Sequence, residues 1–301
     1  MNKMKKEENV GGQAVYEGVM MRKGLNLAVA VRNPQGEILI EKYKLQSFFK
    51  KWLNLPFLRG LLVLMDSLVW GIKALNYSTN VAFPEDERIN GGFGIVFALI
   101  LSFSLFIAIF IILPLLVVKP IESFISSLII LRLLEGLIRL SIFIIYLFVI
   151  SKIKEIYRVF QYHGAEHKVV FCYESGDELT IENCKKYSRF HPRCGTSFLL
   201  VVMIVSIIIF AFLGKQTFIE RIFSRILLIP VIFSISYEII RFSSKHYNTY
   251  FFKILILPGL WMQYFTTKEP DDSQLEIAIR ALKEVIEENV TSDIYSETSK
   301  H

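Results

Sequence analysis

Two short segments of the sequence carry side chains that could hold a metal ion. The first is His163-Gly164-Ala165-Glu166-His167. On a helix, residues four apart share a face, so the imidazoles of His163 and His167 would converge, with Glu166 beside them. Imidazoles so placed can hold one divalent ion, and an adjacent carboxylate can orient a ligand or take a proton from water. The form His-x-x-Glu-His is also that of the inverted zinc-peptidase motif. The second segment is His191-Pro192-Arg193-Cys194-Gly195-Thr196-Ser197, which sets His191 and Cys194 at a spacing suited to metal ligands. Together they give a candidate site for a divalent metal, zinc by its nitrogen and sulfur donors: ligands His163, His167, His191 and Cys194, with Glu166 as candidate catalytic base. Four bound ligands would close such a site and make it structural, whereas three would leave a position open for chemistry. Spacing alone does not choose between these. Glu17, inside the glycine-flanked run Gly11 to Arg22, and Glu238 are candidate accessory groups, a plain strand turn being the simpler reading of the former. Cys172 and Cys184 read as small buried thiols.

The elements that must position these residues belong to a membrane protein by composition. Of 301 residues, 53% are hydrophobic and 21% charged, against about 25% charged in soluble domains. The mean hydropathy is +0.44. The formal net charge of +6 suits anionic lipid headgroups and a positive-inside bias. No Lys/Arg run exceeds two residues and no recognition motif accompanies them, so nucleic acid is not an expected partner. Three cysteines are too few for a disulfide framework and point to a reducing compartment. The charged start, Met1 to Glu8, runs into glycines rather than an apolar core, so no signal peptide is expected.

Gly91 to Val118 carries no charge and is long enough to cross a bilayer, with Pro114 expected to kink it. Thr196 to Gly214 is also free of charge. Ile129 to Ile150 contains Arg132, Glu135 and Arg139 on one helical face, and Ile222 to Ile240 contains Arg225 and Glu238. Charges inside a span are costly unless paired or facing water. The expectation for Arg132, Glu135 and Arg139 is an internal ion network, with a transported ion or substrate as the sharper alternative. Four spans give two hairpins and leave segments 1–90, 151–195 and 241–301 on one side. These hold 13, 8 and 7 Lys/Arg, against 1 and 2 in the turns 119–128 and 215–221, which places both termini and the 151–195 loop in the cytoplasm.

The expected organisation is therefore a β-rich segment (1–54), an interfacial amphipathic helix and linker (55–90), a transmembrane hairpin (91–150), a loop with both motifs (151–195), a second hairpin (196–240) and a C-terminal segment (241–301). In Leu55 to Asn76, Arg59, Asp66 and Lys73 recur every seven residues as one polar stripe, the pattern of a helix lying in the interface or on the bundle. Phe251 to Phe265, interrupted by Pro258-Gly259, reads as interfacial or re-entrant. Alternation around Asn33-Pro34-Gln35-Gly36 predicts a hairpin, with strands at Gly11 to Met21 and Val169 to Tyr173 beside it, a short helix after Thr180, and an amphipathic helix at Gln274 to Glu288.

Six segments resemble the YqhQ-like family: Gly11 to Arg22, Leu55 to Gly60, Tyr162 to Lys168, His191 to Phe198, Tyr237 to Phe242 and Thr266 to Asp272. This is a bacterial membrane-protein family of unknown function, often labelled a predicted metal-dependent enzyme. The resemblance runs in order along nearly the whole chain and implies a multi-pass protein of the bacterial inner membrane. The fold expected is an α-helical integral membrane protein of about four spans with a cytoplasmic α+β portion. Its partners would be the lipid bilayer and other membrane proteins. The leading function is a metal-dependent, hydrolase-like enzyme; the rivals are a scaffold or assembly factor with structural zinc and, third, a transporter.

Overall fold

The computed structural model describes residues 10–45, 55, 57–83, 92–245 and 250–298. Among the described residues, four strands come first: β1 (Val10–Val15), β2 (Gly18–Lys23), β3 (Asn26–Arg32) and β4 (Ile38–Lys44). They pair antiparallel in sequence order, so β1 and β4 are the edges. The expected hairpin is β3–β4, with Val31 opposite Leu39. Gly11 to Met21 forms two strands rather than one, because Glu17 turns the chain at a φ of 50° and brings Val15 opposite Gly18.

Both faces of this sheet are covered, which explains why β2 and β3 carry unbroken apolar runs. Val10, Val19, Met21, Ala28 and Ala30 pack on helices α5 (Lys154–Glu174) and α11 (Asp272–Thr298). Val15, Met20, Leu27, Val29 and Val31 pack on Ala74, Trp70 and Tyr77 of helix α1 (Leu58–Ala82). Helix α1 buries Gly60, Gly71, Ala74 and Ser78 and exposes Met65, Leu68 and Val69. Gly60 lies against Tyr237, so α1 ties the sheet to the helical remainder of the chain.

Among the described residues, that remainder holds two helices long and apolar enough to cross a membrane, Val96–Phe124 and Leu128–Ile150. The first joins α2 (Gly92–Ile107), a π-helical turn (Ala108–Ile112), α3 (Leu113–Val118) and a final 3₁₀ turn. Pro114 does not end it; the π-turn immediately before absorbs the missing N–H. The second is α4 (Leu128–Ile150), capped by the Ser127 hydroxyl. The two later apolar stretches are shorter. Helix α7 (Gly195–Ala211) has 17 residues, and the span expected at 222–240 is divided into α8 (Phe218–Leu227) and α9 (Ile229–Lys245). Pro230, in the first turn of α9, has no N–H to continue α8 through Leu228. Helix α10 (Tyr250–Thr266) runs through Pro258 and packs closely on α7, where Gly259 meets Ser197.

Val169 to Tyr173, expected as a strand, is the last part of α5. Ala165, Val169 and Cys172 face one core at helical spacing, and packing on α11 overrides their β-branched preference. The short helix after Thr180 is α6 (Ile181–Lys185), with Thr180 as its cap.

Candidate metal centre

Helix α5 presents the first motif. His163 and His167 lie one turn apart, and their rings approach to 4.4 Å between centroids. Gly164 points to the other side, where the Lys268 carbonyl approaches too closely to leave room for a Cβ. The second motif caps α7: Cys194 is its N-cap residue, and the Thr196 amide and hydroxyl reach the sulfur at 3.4 and 3.1 Å.

These two helix positions meet. His163 Nε2 lies 3.2 Å from Cys194 Sγ. The ligand atoms of His163, His167 and Cys194 all fall within 4.8 Å of one another. Donors bonded tetrahedrally at 2.0–2.3 Å to one ion stand about 3.5 Å apart, so small side-chain adjustments suffice for a shared ion. The tautomers suit that role. His163 Nδ1 lies 2.8 Å from the Thr266 carbonyl, and His167 Nδ1 2.5 Å from the Arg189 carbonyl. A carbonyl only accepts, so Nδ1 donates in both, which leaves each Nε2 lone pair aimed at the cluster. Burial also lowers the pKa of His167, which favours the neutral form that binds metal.

Glu166 completes the arrangement. Its Oε2 lies 3.5 Å from His167 Nε2, and it is buried. Burial raises the pKa of its carboxyl, opposed by His163, His191 and a hydrogen bond from the Gly12 amide. Gly12 sits so close that a Cβ there would stand 2.7 Å from Glu166 Cγ and 2.8 Å from the Met20 carbonyl oxygen. The glycine in β1 is thus a packing requirement of the site. The cluster faces a cavity of about 280 Å³ walled by Gly11, Gly12, Glu166, Val170 and Arg193.

His191 stands beside the cluster rather than in it. Its ring centroid is 5.5 Å from that of His167. Its Nδ1 accepts the Arg193 amide at 3.3 Å, and its buried Nε2 faces Glu174 Oε2 at 3.6 Å without a hydrogen bond. The two accessory acids hold elements in place. Glu17 binds Arg158 through both oxygens, 2.6 Å at one, and accepts the Tyr162 hydroxyl at 3.1 Å, which fixes α5 against the β1–β2 turn. Glu238 pairs with Arg59, 2.6 Å from its Nε, and joins α9 to α1.

Several positioning residues have no local signature. Gln263 of α10 clamps His191 through both its backbone groups at 2.8 Å. Arg189 binds the Thr267 carbonyl and hydroxyl. Only the family resemblance of Thr266 to Asp272 had singled this segment out.

Away from the centre, the charges of α4 form one buried cluster. Glu135 accepts from Arg132 at 3.3 Å and Arg139 at 2.8 Å. Arg225 of α8 adds three contacts at 2.9–3.1 Å, a partner 90 positions away that the helical spacing of α4 could not supply. Arg139 also donates to the Phe110 carbonyl at 2.9 Å, within the π-turn.

The family described as "Protein of unknown function (DUF1385)" matches residues 55–288. The chain belongs to the DUF1385 family. Within that resemblance, it is 34% identical over 306 aligned positions to "Uncharacterized protein YqhQ" of Bacillus subtilis (strain 168), covering 95% of each chain. The DUF1385 match begins after the sheet, yet the similarity to the Bacillus protein extends over nearly all of the chain. No solved structure matches it.

Proposed function

We propose that this DUF1385 protein is a metal-dependent, hydrolase-like enzyme of the bacterial inner membrane, with its site at the cytoplasmic surface. The observation that carries the reading is three metal-ligand atoms within 4.8 Å, facing a cavity, with a buried carboxylate alongside. His163 and His167 would bind through Nε2 and Cys194 as thiolate, an N/N/S set that suits zinc. A divalent ion there would supply Lewis acidity toward a carbonyl or phosphoryl oxygen. Glu166 would accept a proton from water as its oxygen bonds to the electrophilic centre, then return that proton to the leaving group. Gly12, packed against Glu166 Cγ with no room for a Cβ, would hold that base in position.

Four passes, α2–α3, α4, α7 and α9, would place this site and both termini on the cytoplasmic side. Supporting the membrane reading, only 11% of the most apolar window of Val96–Phe124 is buried, whereas the core helix of a soluble protein would be mostly buried. The Lys/Arg excess of 151–195 over the turns supports the orientation.

One observation favours a second reading. The ring of His191, whose buried Nε2 makes no hydrogen bond, stands 5.5 Å from that of His167; turned toward the cluster with its proton moved to Nδ1, it would close the site as a fourth ligand. The protein would then be a scaffold or assembly factor with structural zinc. Metal analysis of detergent-purified protein separates these. Wild type should carry about one zinc per chain, lost in His167→Ala. Glu166→Gln should keep the metal yet fail to complement a deletion strain. Full complementation by Glu166→Gln would remove the enzyme reading, and a metal-free wild type that takes up no added zinc would remove both.

A further inference from the structure

The cavity beside the candidate metal ligands adjoins a larger one of about 850 Å³, and the two share Val10, Gly11, Gly12, His163 and Gly195 as walls. The larger cavity lies within the 300–1,000 Å³ range of small-molecule sites. Its body is apolar. Met20 and Leu27 of the sheet, Trp70 of α1, and Val159 and Phe160 of α5 line it. Its charged wall residue, Arg22, is already paired with Asp66 at 2.5 Å. The groove passes Ser67 and Trp70 of α1, and the same helix exposes Met65, Leu68 and Val69 nearby. Helix α1 is packed on α9 at Gly60 and on the sheet at Ala74, so the groove lies where the helical bundle and the sheet layers meet.

An apolar groove with its charge already neutralised does not recognise an ionic ligand along its length. It also suits a peptide poorly. A bound strand would need free room along the edge strand β1, and Gly12 there is packed against Glu166, with a Cβ position only 2.7 Å from its Cγ. A hydrocarbon chain needs neither. We propose that this groove takes the hydrocarbon chain of an amphipathic, lipid-like substrate and delivers its polar end to His163, His167 and Cys194. The inference rests on the metal-enzyme reading for the fate of that polar end and deepens it by naming the substrate class. Binding of the chain itself requires no metal.

Gly11 offers a direct test. A Cβ there would meet no atom within 4 Å, so Gly11→Phe should fill the groove without disturbing the core. Ser67→Phe, from an exposed position on α1, is a second block. In full-length protein carrying Trp52→Phe and Trp261→Phe, Trp70 is the remaining tryptophan. Dibrominated stearate should quench its fluorescence saturably, with or without chelator. Either blocking variant should weaken that binding by about 10-fold or more, since a few methylenes lose their burial. Quenching that is non-saturable, or unchanged in both blocking variants, overturns the proposal. So does a hydrophilic hexapeptide that competes as well as unbrominated stearate. If zinc analysis fails while chain binding is saturable and blocked, the groove stands and the metal reading falls.

Discussion

Replacing Glu135 with glutamine tests the reading of the buried charges of α4 as structural. Three guanidiniums converge on this carboxylate through five contacts of 2.8–3.3 Å, and the glutamate is 1% exposed. Glutamine keeps the shape but has one carbonyl oxygen, and its amide donors face arginine donors. Adding up charge-assisted bonds would overstate the loss, because the glutamate's desolvation cost vanishes along with them. The better guide is the removal of one partner from a buried ion pair, about 3–5 kcal/mol, since Arg132, Arg139 and Arg225 stay buried without a counter-charge. Glu122→Gln supplies the contrast. It also removes the partner of a buried arginine, Arg221, but Glu122 is 37% exposed, so water reaches its side of the pair and the loss should be smaller, about 1–3 kcal/mol. Thermal unfolding in detergent should show a large drop in midpoint for Glu135→Gln, a smaller one for Glu122→Gln, and unchanged zinc content in both. A Glu135→Gln protein as stable as Glu122→Gln, but inactive in cells, would refute the structural argument and favour a transport role.

Other outcomes follow from the same geometry. Gly11→Ala should be silent, whereas Gly12→Val should cost about 1–3 kcal/mol in unfolding experiments, because its Cβ collides with Glu166 Cγ and the Met20 carbonyl oxygen. Gln263→Leu should lower zinc affinity by about 10- to 100-fold, measured by chelator competition, because it strips both backbone hydrogen bonds that hold His191 and its loop. Membrane-impermeant thiol reagents on intact cells should label an engineered cysteine within 215–221 and spare one within 174–178; the reverse pattern would invert the topology.

Local spacing carried much of the candidate site. His163 and His167 are four apart, so any helix through them brings their rings together, and the charge-free run from Thr196 sets Cys194 just ahead of an apolar helix. The hairpin around Asn33 to Gly36 and the amphipathic face at Leu275, Ile279 and Leu282 were legible for the same reason: turn chemistry and periodicity act within a few residues. Val169 to Tyr173 misled because a short β-branched run in a buried helix has no periodicity to distinguish it from a strand. The apolar run at 222–240 looked continuous to composition, but Pro230 interrupts its backbone hydrogen bonding.

The sequence by itself determined the donor atoms, their helical spacing, the long apolar helices and the family. Tertiary structure decided which donors meet. Arg189 and Thr266 come from distant segments, yet their carbonyls hold the Nδ1 protons of His167 and His163 and thereby aim Nε2 into the cluster. His191, equal to Cys194 by spacing, is turned toward Glu174 because the Arg193 amide binds its Nδ1 and Gln263 pins its backbone. Glu135 gained Arg225 only because α8 folds onto α4. Hydrogen-bond direction and long-range charge pairing are properties of atoms brought together by packing, and no local pattern encodes them.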